Sequence, residues 1–168
     1  MSPWKCLPLL TSLLLGATYA EPLIGLTSPR NLNGVKFCFE DRYVRVDDPL
    51  QDDGQRTLAT TIARSIRTKL IAYRIPIAQN CGETTGYVGL WLNLSTSNAL
   101  GNTQARSYNV ELLALTKVPN LPSNVAIYNQ HKKGVSTNAT LTDQRALITQ
   151  LALEMIDKLG ADYAMANP

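Results

Sequence analysis

Residues 87–95, YVGLWLNLS, decide how this chain folds. Every second residue from Val88 to Leu94 is aliphatic. Because successive side chains of a strand point to opposite faces, this alternation predicts a strand with one covered face. Tyr87 and Trp91 fall on the other face, where exposed aromatic side chains often mark a binding surface. The alternative is that a loop, or the segment of residues 21–33, folds over that face.

Further strands surround this one in the sequence. Apolar runs predict strands over residues 106–118 and 125–132 after it, and a short strand over residues 75–78 before it. A strand over residues 35–46 has alternating apolar residues whose phase slips near Asp41, which predicts a bulge or a bend. The sheet therefore has about four to five strands.

The first of two predicted helices spans residues 53–73, and its apolar residues fall on one helical face. The opposite face carries Arg56, Arg64, Arg67 and Arg74. Arginine side chains on one face can bind an anionic ligand. Such a row is also the ordinary solvated face of a surface helix, and this is the interpretation that the pattern favours.

The second predicted helix begins at a sequence that resembles a capping box, with Thr140 and Asp143 in its two positions. An apolar face then runs from Leu147 to Leu159, and Gly160 is a natural residue to end the helix. Residues 162–168 would form a frayed or loosely docked tail.

The order of elements is strand, helix, short strand, three-strand meander and helix. Both helices and the meander have one apolar face. The predicted fold is therefore α+β, a two-layer sandwich of a mixed sheet with both helices packed on one of its faces. Residues 34–168 form this single domain, and residues 21–33 precede it as an irregular leader.

The first segment, residues 1–20, has the layout of a secretory signal peptide. Lys5 precedes an apolar core, and small residues flank a cleavage site after about Ala20. The apolar core is too short for a bilayer, which needs about 20 residues. The sequence therefore predicts an exported protein, periplasmic or extracellular, with no membrane span in the mature chain.

Cleavage after Ala20 would leave two cysteines, Cys38 and Cys81. An exported protein meets an oxidising compartment in which thiols pair, so we expect a disulfide between them. The alternative is one nucleophilic thiol, for which the only histidine, His131, would have to act as the base.

Four aspartates lie just before or at the start of the first helix: Asp47, Asp48, Asp52 and Asp53. If Gly54 took the sixth position of a helix-loop-helix calcium loop, positions 1 and 12 would fall on Pro49 and Thr60, so the required acidic ligands are missing. A looser calcium site made by the four aspartates is one alternative. The favoured interpretation is that Asp52 or Asp53 caps the helix and meets the positive end of its dipole.

Few other residues point to chemistry. The formal net charge of +3 gives no reason to expect a nucleic-acid partner. No phosphate-binding loop and no transition-metal cluster occurs, so no cofactor is predicted. A hydrolase with paired carboxylates could use Glu40, Asp41 or Glu111. Asn93 and Asn138 each begin a glycosylation acceptor pattern.

The strand before an Arg-rich helix, the meander and the final helix resemble, over residues 35–159, the small α/β domain at the amino terminus of the periplasmic protein TolB and related domains of bacterial envelope assembly proteins. The likeness is one of topology. It implies a non-enzymatic role in binding other envelope components and carries no functional residue over.

The sequence thus favours a non-catalytic exported domain that binds a protein or cell-envelope partner through Tyr87 and Trp91. The alternative is a small exported hydrolase with a non-standard carboxylate site.

Overall fold

The computed structural model describes residues 28–50, 52–78, 81, 86–98, 105–117 and 123–168. The predicted signal peptide and the first part of the leader lie outside the described residues. The helices and strands are β1 (Phe37–Cys38), β2 (Val44–Asp47), α1 (Asp53–Ala72), β3 (Ile77–Ala78), β4 (Val88–Thr96), β5 (Arg106–Thr116), β6 (Val125–Ser136) and α2 (Leu141–Ala166). Within these ranges, no helix combines the length and the apolar character that a bilayer crossing requires.

One mixed sheet contains all six strands. Its order is β3-β1-β4-β5-β6, and β2 pairs with β4 beside β1. β1 and β2 run parallel to β4, whereas β4, β5 and β6 form an antiparallel meander. Together with the two helices, this sheet confirms the predicted α+β fold class.

The predicted slip of phase near Asp41 is a real interruption. A 3-10 turn, Asp41–Tyr43, separates β1 from β2, so the strand predicted over residues 35–46 is two short strands. Cys38 pairs with Gly89 and Val44 with Leu92. Six positions along the first segment therefore match three along β4, and the extra residues form the turn.

The hydrophobic core lies between the helices and one side of the sheet, which we call the inner face. The inner face is formed by Val88, Leu90, Leu92, Leu94, Val110, Leu112 and Ala114, all of them buried. The buried helix residues that pack in the same core are Ile62, Ala63, Ile66 and Leu70 of α1 and Ile148, Ala152, Met155, Ile156 and Leu159 of α2. Burying one such large aliphatic side chain contributes about 1.5–3 kcal/mol.

Helix α2 does not end at Gly160, as the sequence suggested, but continues to Ala166. The reason is a close helix–helix contact. A Cβ atom at position 160 would lie 2.5 Å from Cδ2 of Tyr73, so glycine is needed there for packing and not as a cap. The tail is also docked and not frayed, because the Tyr163 hydroxyl donates to the Val35 carbonyl at 3.0 Å.

Strand β6 is longer than predicted. It continues past residue 132 to Ser136, because Arg106 at the start of β5 offers it a partner in register. His131 therefore lies inside the strand, five residues before its end.

Candidate functional site

The side of the sheet opposite the inner face carries a different set of residues, and we call it the outer face. It is formed by Gly89, Trp91, Asn93 and Ser95 of β4, Asn109, Glu111 and Leu113 of β5, and Asn129, His131 and Lys133 of β6. Strand alternation directs these side chains away from both helices. Tyr87 is partly exposed just before β4 begins.

Trp91 is held in place from two sides. Its ring stacks on that of Tyr43, with centroids 4.1 Å apart and planes 28° from parallel. Its indole also covers Gly89, where a Cβ atom would lie only 2.9 Å from the Trp91 Nε1 atom. Leu113 is its cross-strand neighbour. Trp91 is therefore a partly exposed aromatic side chain with little freedom to move.

The described part of the leader does not cover Trp91. Leu32 is fully buried in the core beside the helices, and the Asn31 side-chain amide donates to the Ile127 carbonyl at 2.9 Å. Residues 28–35 thus pack at the end of α2 and the start of β6. Among the residues that the structure describes, it is Tyr43, from the turn between β1 and β2, that lies against the Trp91 ring.

A polar band crosses the sheet next to Trp91. Arg45, Asn93, Glu111 and His131 are in register on four neighbouring strands. The Asn93 amide donates to Glu111 Oε2 at 3.3 Å, and His131 Nε2 contacts the side-chain oxygen of Asn109. The outer face therefore combines an apolar centre with a flank of hydrogen-bonding groups, which is the usual composition of a protein interface.

The acidic segment before α1 has a structural role that involves α2. Asp52 caps α1, because its side chain accepts from the Gln55 backbone N–H at 2.9 Å. The Arg145 guanidinium donates to Asp48 Oδ2 through Nε at 2.8 Å and to Asp52 Oδ1 at 2.7 Å. It lowers the pKa of the Asp52 carboxyl, with a further contribution from the Gln55 N–H.

This arrangement bears on the calcium alternative for Asp47, Asp48, Asp52 and Asp53. Asp48 is buried and shares the Arg145 guanidinium with Asp52, while Asp47 pairs with Arg45 at 2.9 Å. Arg145 therefore supplies a positive charge between Asp48 and Asp52, where a cation would otherwise lie.

The carboxylates considered for a hydrolase each have a separate partner. Glu40 accepts from the Cys81 backbone N–H, Asp41 pairs with Arg67 at 3.3 Å, and Glu111 bonds Asn93. A glycosidase-type mechanism needs a carboxyl group whose pKa is raised so that it can donate a proton. Each of these three carboxylates is held in a structural contact of its own.

A groove along α2 also contains carboxylates, but they are not acids of this kind. It has a volume of about 780 Å³ and lies along α2, beside Leu58 of α1. Its carboxylates are Glu154 and Asp157. Lys132 lowers the pKa of Glu154, and Lys69, followed by the Tyr73 hydroxyl, lowers the pKa of Asp157. Both groups are therefore anions at neutral pH.

The arginines of α1 do not form one uniform solvated face. Arg67 is only partly exposed, and its guanidinium donates to the Phe39 carbonyl at 3.4 Å as well as to Asp41. Arg56 and Arg64 are exposed and border a shallow hollow with three threonines. Arg74 follows the helix with a φ of 56°.

The structure places the sulfur atoms of Cys38 and Cys81 at disulfide distance, with the two Cα atoms 5.5 Å apart. A thiol nucleophile is not available in this state.

The two glycosylation patterns differ in access: Asn93 lies inside β4 and is partly buried, whereas Asn138 is exposed in the turn before α2.

Two residues of these sites could not be recognised in the sequence, Tyr43 and Arg145. Tyr43 gave a weak signal, because it lies where the strand pattern slips; Arg145 gave none.

No protein-family model matches the chain, and no curated protein matches it.

Proposed function

We propose that the protein is a non-catalytic exported domain that binds a protein partner of the cell envelope through its outer face, with Trp91 at the centre of the contact. The observation that supports this most strongly is the presentation of Trp91. It is partly exposed on the sheet side opposite the helices, and Tyr43 and Gly89 hold its ring in place.

A fixed tryptophan suits a protein partner for two reasons. It offers a large and rigid apolar surface together with a polar N–H group. Its side chain also has little conformational entropy to lose on binding, because the stack with Tyr43 already limits its rotamers. Tryptophan is accordingly among the residues that contribute most to measured interface energies.

The polar band beside Trp91 would supply specificity. Arg45, Asn93, Glu111 and His131 offer both donors and acceptors along a line across the sheet. Polar groups around an apolar centre fix the orientation of a partner and exclude water from the centre.

The exported location is part of the same proposal. The signal-peptide pattern of residues 1–20 supports it, and so does a cysteine pair at disulfide distance, since such pairs persist in oxidising compartments. The resemblance in topology to TolB-type envelope domains would fit a binding role of this kind.

The test begins with capture of a partner from a cell-envelope extract, its identification and its purification. Binding of the purified partner is then measured for the wild type, Trp91→Ala and Tyr87→Ala. We expect Trp91→Ala to lower the affinity about 30-fold, as for an interface residue worth about 2 kcal/mol. Tyr87→Ala, at the margin of the face, should have a smaller effect.

Ile71→Ala is the matched control, because Ile71 is an apolar side chain that is 64% exposed on α1, away from the outer face. Circular dichroism and thermal melting verify that each variant is folded. If folded Trp91→Ala and Tyr87→Ala bind the partner as tightly as the Ile71→Ala control does, the outer face is not the binding surface.

A further inference from the structure

A second group of side chains, on and around β1, has the composition of a metal site. It consists of Cys38, Glu40 and Cys81. The two sulfur atoms and one carboxylate oxygen of Glu40 lie within 4.8 Å of one another. We propose that these three residues bind one zinc ion when the bond between Cys38 and Cys81 is reduced.

The donor set suits zinc. Zinc in proteins prefers four ligands in a tetrahedron, with bonds of about 2.3 Å to thiolate sulfur and about 2.0–2.2 Å to carboxylate oxygen. Those bond lengths separate the ligand atoms by about 3.4–3.8 Å, a spacing that a group only 4.8 Å across can adopt by small side-chain rotations. Three protein ligands leave the fourth position for water.

Glu40 is already oriented for this role. Its Oε1 atom accepts from the Cys81 backbone N–H at 2.9 Å, and its Oε2 atom pairs with Arg42 Nε at 2.5 Å. Contacts of this kind hold the carboxylate ligands of metal sites in place. Cys38 is buried and Cys81 partly buried, so the ion would be shielded from most of the solvent.

Reduction and metal binding balance as two steps. An external dithiol supplies two electrons and two protons, which break the sulfur–sulfur bond and give two protein thiols, while the dithiol becomes a disulfide. Zinc then displaces the proton from each thiol, so about two protons are released for every ion bound. The disulfide and the zinc site exclude each other, which makes the site a redox-controlled one.

The experiment uses purified protein that has been reduced with a dithiol and then freed of it by gel filtration without air. Zinc binding is measured by competition with a coloured chelator, and Co²⁺ serves as a probe whose absorption reports thiolate ligands. We expect one equivalent of zinc in the reduced protein, thiolate-to-cobalt absorption, and no zinc in the oxidised protein.

Glu40→Gln tests the third ligand, and Asp41→Asn is the matched control, because Asp41 is the neighbouring carboxylate but pairs with Arg67. We expect at least a tenfold loss of zinc affinity in Glu40→Gln and none in Asp41→Asn. Equal losses in both would mean that Glu40 acts only through its charge, and would overturn the three-ligand site.

The folded state of the reduced protein is followed by circular dichroism. A reduced protein that is folded but binds no zinc would refute the proposal. If the reduced protein is unfolded without metal, zinc has to restore the folded spectrum, and failure to do so refutes it equally. Both outcomes are measured without a protein partner, so they test the zinc site separately from the proposed binding role.

Discussion

The inner and outer faces of the sheet come from alternate residues of the same strands, yet they differ in burial and in polarity. On β4, the side chains of Val88, Leu90, Leu92 and Leu94 are buried against the helices, whereas the residues between them are only partly buried. The inner residues therefore specify the fold, and the outer ones are freer to be selected for binding.

The sharpest test of this difference is a pair of neighbouring leucines on β5. Leu112 is fully buried on the inner face, and Leu113 is partly exposed on the outer face beside Trp91. We expect Leu112→Ala to lower the free energy of unfolding by about 2–5 kcal/mol, because it leaves a cavity in the core. Leu113→Ala should cost less than half as much.

Urea denaturation of both variants measures the two free energies. A loss in Leu113→Ala as large as that in Leu112→Ala would mean that the outer face is covered like a second core. The proposed binding surface would then have to be abandoned.

The charges on the helix side offer a second test. Arg145 neutralises Asp48, whose side chain is fully buried. We expect Arg145→Met to lower the free energy of unfolding by about 3 kcal/mol, because it removes the positive charge beside a buried carboxylate. Arg67→Met, which breaks the exposed pair with Asp41, should cost less than about 1 kcal/mol.

Thermal and urea unfolding of both arginine variants measure this contrast. In the double variant Arg145→Met/Asp48→Asn, part of the loss should be recovered, since the buried charge is gone. Similar losses in the two single variants would show that the Asp48 site is better solvated than its burial indicates.

The smallest expected change in the free energy of unfolding concerns the contact of Asp157 in α2 with Lys69 in α1, and it depends on pH. The pKa of Asp157 is lowered by Lys69 and by the Tyr73 hydroxyl. A lowered pKa means that Asp157 stabilises the fold above about pH 4, the ordinary carboxyl value, and that this contribution is lost as the pH falls through the folded pKa.

Asp157→Asn should therefore make the unfolding free energy less dependent on pH below about pH 4, with a loss at neutral pH of less than about 1 kcal/mol, as for an exposed ion pair. Melting curves from pH 2 to pH 7 measure both quantities. If the unfolding free energy of Asp157→Asn depends on pH as that of the wild type does, other carboxylates cause the loss of stability in acid.

Much of the fold could be predicted because its determinants are local. The alternation of β4 indicated the inner and outer faces, and the Thr140–Asp143 capping box indicated the start of α2. The pair Asp52 and Asp53 indicated the start of α1, where Asp52 is the cap. In each case the residues that decide the structure lie within a few positions of one another, so a periodic pattern can reveal them.

The errors and omissions involve residues that are distant in sequence. Gly160 looked like a helix end because glycine is common there. It is glycine because the Tyr73 ring fills the space beside it, a contact that no local rule can predict. The stack of Tyr43 on Trp91 depends in the same way on β2 pairing parallel to β4. The alternation of the sequence thus predicted Trp91 and Tyr87 as candidate binding residues. The residues that hold Trp91 in place could be identified only from the structure.

The side chain of Asn167 has a consequence for the topology of the molecule. It accepts from the Gly34 backbone N–H at 2.8 Å and donates to the Leu32 carbonyl at 3.1 Å, so the last turn of α2 is joined to the segment that leads into β1. The first and last segments of the described chain therefore lie side by side. A circular permutant that links the two segments covalently, and opens instead at the exposed turn around Asn138, would keep the same sheet and the same core.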